Sequence, residues 1–173
     1  MKINKIILCL FMLPALSSFA QATENKIDYL SVPEVEKQLA LEKGVIFPVG
    51  VANTKNQDYF TGASYLSSIS EDKSVHIFNV TFAPGTINNW HVHHNSCQVL
   101  VGVLGTGYYQ IWGEEPKKIE PGQTVTIPAE TKHWHGAGPS GYFQHLAYLH
   151  PYENVSTQWL EKVDPKDYEK IIK

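Results

Sequence analysis

Residues 84–105 read PGTINNWHVHHNSCQVLVGVLG, and this stretch decides the fold. Pro84-Gly85 turns the chain. His91 and His93 stand two apart on an extended segment, so their rings point to the same side. After the Asn95-Ser96 turn, Gln98 opens an alternating run to Leu104, and Gly105-Thr106-Gly107 joins it to Tyr108-Tyr109-Gln110-Ile111-Trp112 as a hairpin. Two imidazoles and one amide oxygen can thus converge. Such neutral donors suit Mn, Fe, Ni or Zn, and the lack of thiolates argues against a closed structural zinc site. Seven of the eight histidines fall between residues 91 and 150, and His133 would make a fourth ligand.

Outward from this stretch the pattern stays that of strands. In Ser74 to Ala83, His76, Phe78, Val80 and Phe82 share one face, and Val75, Ile77, Asn79 and Thr81 share the other. Glu114 to Lys118 reads as a charged turn, Pro121-Gly122 opens a strand through Ile127, His133 to His135 follows a short loop, and Tyr142 to Leu149 makes a late strand. Many short strands from Gly44 to Pro151 without interleaved helices argue for an all-β sandwich or barrel, with its core at about residues 44–151. Helices are expected only at the ends. Ser31-Val32-Pro33-Glu34 has capping-box spacing with an early proline, followed by Val35 and Leu39 at helical spacing and a stop at Gly44. Ser156 to Val163 is expected to form a short helix packing Trp159 and Leu160, and Asp164-Pro165 to cap another.

The first residues combine Lys2 and Lys5, an apolar run from Ile6 to Leu16, and small residues up to Ala20 and Ala22. This is the pattern of a Sec signal peptide over residues 1–22, cleaved after Ala20 or Ala22, and its run is too short to span a bilayer. The expected product, residues 23–173, is a single exported domain, periplasmic or secreted, without a membrane partner. Losing Lys2 and Lys5 takes the formal charge from −3 to −5, with no strongly basic stretch, so nucleic acid is excluded as an expected partner. The chain has no arginine, which disfavours a substrate held by a strong anionic handle. Cys97 would be left without an intrachain partner, and it reads as a packed thiol.

Gly85-x5-His91-x-His93-x4-Gln98-x6-Gly105 resembles the first cupin motif, with glutamine in place of the usual glutamate. Gly122-x5-Pro128-x4-His133 resembles the second, with Glu130 and Ala137 at the places of its later Gly and Asn. Both motifs in order are a specific signal. The match narrows to small single-domain cupins similar to carboxymuconolactone decarboxylase-like sequences, including manganese-dependent bacterial hydroxynitrile lyases. Further likeness lies in Asp58-Tyr59-Phe60-Thr61-Gly62, Lys132-His133-Trp134-His135-Gly136, His145-Leu146-Ala147 and Gln158-Trp159-Leu160-Glu161.

The resemblance implies a double-stranded β-helix, or jelly-roll, with short terminal helices, one divalent ion (Mn first; Fe, Zn or Ni as alternatives), and a homodimer. It implies His91, His93, Gln98 and His133 as ligands, although the loop His94-Asn95-Ser96-Cys97 is one residue longer than in the group, and Gln98 could instead support the ligands from behind. It makes His145 the catalytic base and gives His135 a place beside substrate; a hydrogen-bonded structural histidine is the alternative for each. Phe78, Val80 and Leu149 are expected to line the pocket for a small-molecule substrate, His94 and His150 to lie at the rim, and His76 to be a core histidine. Three imidazoles and an amide leave the ion's charge uncompensated, which favours Lewis acid chemistry, and the resemblance implies a lyase that splits a hydroxynitrile into aldehyde and cyanide. A cupin dioxygenase and a non-catalytic small-molecule-binding cupin are the competing expectations.

Overall fold

Period-two alternation governs most of the chain, and the runs that carry it become strands. The computed structural model describes residues 26–41, 45–72, 74–150 and 153–171. The expected signal peptide, the helix stop at Gly44 and the last barrel residue Pro151 lie outside them. The strands are β1 (Val51–Ala52), β2 (Ser64–Ser68), β3 (His76–Phe82), β4 (His91–His94), β5 (Gln98–Leu104), β6 (Gly107–Ile111), β7 (Lys117–Ile119), β8 (Thr124–Ile127), β9 (His133–Ala137), β10 (Phe143–Leu149) and β11 (Ser156–Trp159). They form two antiparallel sheets, one in the order β1-β2-β3-β10-β5-β8 and one in the order β11-β4-β9-β6-β7. This is the expected all-β jelly-roll.

The core lies between the sheets: Val80, Phe82, Leu100, Ile119, Ile127, Ala137, Phe143 and Ala147 pack into one cluster. Register decides which side chains enter it. Phe143, His145, Ala147 and Leu149 of β10 stand opposite Phe82, Val80, Phe78 and His76 of β3, so all eight share the inner face. Against β5, His145 pairs with Gly102 but Gln144 with Leu104, and this bulge releases Leu104 to the outer cluster beside Tyr65 and Tyr142. The motif glycines Gly85, Gly105 and Gly122 all have positive φ, between 71° and 84°, and a Cβ on Gly105 would sit 1.9 Å from the Tyr142 carbonyl oxygen.

Helix α1 (Val32–Leu41) begins as its capping box dictates: Glu34 accepts from the Ser31 backbone N–H and hydroxyl at 2.9 and 2.6 Å. Val35 and Leu39, one turn apart, are buried against the outside of the six-stranded sheet, a burial worth about 1.5–3 kcal/mol per side chain. Helix α2 (Pro165–Glu169) has Asp164 as its N-cap, accepting from Lys166 N–H.

Three expectations are corrected. β5 and β6 do not form the expected hairpin: β5 pairs with β10 and β8 in one sheet and β6 with β7 and β9 in the other, so Gly105-Thr106 carries the chain from sheet to sheet. Residues 156–159 are the strand β11, not part of a helix over 156–163: Trp159, Gln158, Thr157 and Ser156 pair with His91, Val92, His93 and His94. The pairing covers the edge of β4, whose backbone polar groups a helix would have left to solvent. The charged turn expected over 114–118 is shorter, because Lys117–Ile119 pairs with β6 and buries Ile119.

Candidate metal centre

Three of the expected ligands come together. One ring nitrogen each from His91, His93 and His133 lies within 4.8 Å of the others. The ring centroids of His91 are 5.0 Å from His93 and 4.1 Å from His133. Strand geometry does this: His91 and His93 alternate onto the inner face of β4, and His133 stands directly opposite His91 on β9.

Each ring is held by its other nitrogen. His91 Nδ1 lies 3.0 Å from the Asn89 carbonyl and His133 Nδ1 lies 2.8 Å from the Thr131 carbonyl, so both must donate there. His93 Nδ1 lies 3.0 Å from Thr157 Oγ1 on β11. A carbonyl on Nδ1 fixes the tautomer and leaves Nε2 as a lone pair directed inward. Burial pushes His93 and His133 down to about 4 and His91 well below its ordinary value, the neighbouring imidazoles adding to the effect at His91. All three are neutral at physiological pH, the state in which imidazole binds metal.

Gln98 is buried beside them, with Oε1 3.0 Å from His133 Nε2. With the His133 proton on Nδ1, this puts two acceptors face to face, while His93 Nε2 makes no well-formed hydrogen bond beside the same amide. A shared cation relieves both conditions, so the donor set fits a divalent ion; no thiolate or carboxylate belongs to it. Such an ion would be held by His91, His93 and His133, with Gln98 Oε1 within reach as fourth donor.

His145 and His135 sit deeper, 4.9 Å apart ring to ring, and His135 is 5.4 Å from His91. His145 is fully buried between Phe82 and Phe143, both nearly parallel to it, and neither of its nitrogens has a well-formed hydrogen bond. Burial pushes it down to about 4 against a smaller opposing pull from the Leu146 backbone. His135 lies well below its ordinary range, through burial and then the adjacent His145, and Asn88 Nδ2 lies 3.2 Å from its Nε2.

Phe78, Val80 and Leu149 stand on the inner row with His145, towards the barrel end that holds Gln98. His76, half-buried, ends that row opposite Leu149 and belongs to no metal cluster among the described residues. His94 turns outward to Glu130 and Gln158 at 2.6 and 2.9 Å. His150 follows β10, its backbone N–H directed at the Cys97 carbonyl; Cys97 is a half-buried free thiol. Trp134 packs and donates to Gln110 at 2.7 Å, whereas Trp112 is exposed with Lys132 Nζ 3.4 Å above its ring.

Thr157 and Trp159 were not among the expected site residues. Both face inward from β11, and the Trp159 ring lies 4.9 Å from His91 and stacks on Tyr59. The alternation Thr157-x-Trp159, two residues of high strand propensity, was the available signal.

Residues 78–140 match the model of the cupin domain. The chain is 32% identical over 114 residues to an (R)-mandelonitrile lyase of Granulicella tundricola, a match spanning 64% of this chain and 86% of that protein. The chain belongs to the cupin family. Among solved structures, a cupin-like protein of Thermotoga maritima superposes on this cupin with a TM-score of 0.68 at 29% identity, covering 74% of this chain and 97% of that one. Among the described residues, no helix of this cupin is long and apolar enough to cross a membrane.

Proposed function

We propose that this cupin is an exported, metal-dependent carbon–carbon lyase that splits a hydroxynitrile-type substrate by Lewis acid and general base catalysis. The observation that carries the reading is a neutral three-histidine cluster continued inward through His135 to His145, a buried histidine outside the cluster whose ring nitrogens make no well-formed hydrogen bond. The likeness to an (R)-mandelonitrile lyase supports the choice of reaction. A bound divalent ion, manganese in this reading, would supply a Lewis acid to offset negative charge on the substrate oxygen or the departing cyanide.

The chain's own residues do the rest. His145 accepts the hydroxyl proton on its unprotonated ring nitrogen; with a pKa near 4 it is neutral and available above about pH 5. His135, held by Asn88 through the bonds to its backbone and ring, orients the substrate. Phe82 and Phe143 keep water away from His145, and Phe78, Val80 and Leu149 offer hydrocarbon to the substrate body. The reading includes a Sec-exported, periplasmic or secreted chain that dimerises.

The test is purified protein loaded with Mn and given mandelonitrile, with benzaldehyde followed by absorbance and metal content by elemental analysis. Expected are one metal per chain and benzaldehyde release that His145→Ala reduces at least a hundredfold. Metal without release, over Mn, Fe and Zn, would overturn the substrate assignment; no metal in any preparation would overturn the centre.

A further inference from the structure

The three histidines of the cluster are anchored unequally. His91 and His133 each bond the carbonyl two residues upstream, Asn89 and Thr131, so each carries its anchor on its own strand and entry loop. His93 has no such neighbour. Its Nδ1 reaches 64 positions along the chain to the hydroxyl of Thr157. The two kinds of anchor also differ chemically. A carbonyl accepts and nothing else, so it dictates the tautomer; a hydroxyl can donate or accept and holds the ring in place while leaving the proton's position to the surroundings.

We propose that Thr157 is the positioning residue for His93, and that through it the docking of strand β11 and the binding of the metal ion stabilise each other. The proposal rests on the metal reading above, not on the reaction. Thr157 and Trp159 face the cluster because β11 pairs in register with β4, Thr157 opposite His93 and Trp159 opposite His91. Detaching β11 therefore removes the hydroxyl from His93 and the indole from the His91 ring together. An ion on His93 Nε2 needs the proton on Nδ1, with Thr157 Oγ1 accepting, and this strengthens the bond that fastens β11. Linkage makes the effect reciprocal: whatever β11 adds to metal affinity, the metal adds to the docking of β11.

Thr157 itself is exposed overall and its backbone pairing does not depend on its side chain, so substitution there leaves the barrel intact. The experiment measures Mn(II) affinity of the full-length protein, Thr157→Val and Thr157→Ser by chelator competition, with hydrogen exchange of amides 156–159 with and without Mn(II). Thr157→Val is expected to weaken Mn(II) by about ten- to a hundredfold, the usual effect of removing a hydrogen bond behind a metal-bound histidine, and Thr157→Ser to stay within about threefold of the parent. Mn(II) is expected to slow exchange at 156–159 in the parent and less so in Thr157→Val. Equal affinity in parent and Thr157→Val, or exchange at 156–159 that ignores Mn(II) in a parent that binds it, overturns the proposal. A parent that binds no metal defeats the metal centre itself, whereas absent lyase activity leaves the proposal standing.

Discussion

The inner faces of the two sheets look at each other and are built on different terms. The six-stranded sheet presents Phe78, Val80 and Phe82 from β3, Leu100 from β5, Ile127 from β8, and Phe143 and Ala147 from β10, with Gln98 and His145 set among them. The five-stranded sheet presents His91, His93, His133 and His135, with Thr157 and Trp159 at its edge. Hydrocarbon needs no partner when buried, so the first face holds the barrel by contact alone. Every imidazole needs two partners, and the second face supplies only one to most of its rings. Hydrocarbon dominates the first face, joined by Ile119 and Ala137 from across the barrel and interrupted by His145; imidazole dominates the second.

Replacing the packing residue Phe82 with Ala tests the first half of that contrast and carries the largest expected effect. Its ring touches Phe60, Phe143, His135 and His145, and its loss should cost about 3–5 kcal/mol in chemical denaturation. Metal affinity of the fraction that remains folded should change far less. A loss below about 1 kcal/mol would mean that the hydrocarbon face is not what holds the sheets together.

Acid tests the second half. Burial holds His133 and His145 near 4, while an unfolded imidazole titrates near 6.5. Between those values the unfolded chain takes up protons that the folded chain refuses, so stability is complete above about pH 6.5 and falls as the pH drops towards 4. At pH 5 each of the two should cost about 2 kcal/mol in metal-stripped protein. Four of the five buried imidazoles, His91, His93, His133 and His135, stand on the five-stranded sheet, so its amides should lose exchange protection first. A denaturant midpoint that stays constant from pH 7 to 5 would contradict the assignment.

The smallest effect is expected at Glu130, in the connection between the sheets. Its φ of 62° is left-handed, at the place where the cupin motif has glycine, a strain of about 1 kcal/mol. Its carboxylate receives the Asn95 N–H at 3.0 Å and contacts His94 at 2.6 Å. Glu130→Gly trades the strain against those surface bonds, and thermal unfolding should show a net change under about 1 kcal/mol. A loss above about 2 kcal/mol would make the carboxylate a structural anchor of the lengthened 94–97 loop.

What could be read from the residues follows the same division. The inner row of β3, the pairing of His91 with His93 on one side and the cap at Ser31 and Glu34 rest on local periodicity, and the structure keeps all three. Residues 156–159 are misread as helix because three polar residues followed by the apolar pair Trp159-Leu160 fit either period, and only the open edge of β4 decides between them. The anchors of His91 and His133 could have been sought two residues upstream. The anchor of His93 could not, since nothing near it in the chain points to Thr157. Nor does periodicity announce the bulge that sets His145 opposite Gly102 and turns Leu104 outward.

The distance from His93 to Thr157 also orders events in time. A chain made from its N-terminus has His91, His93 and Gln98 long before it has the strand that steadies His93. A nascent chain that stops short of residue 157 owns all three histidines of the candidate centre yet has only two of them fastened, so what is synthesised last is no candidate ligand but Thr157 and Trp159, which stand against two of the rings.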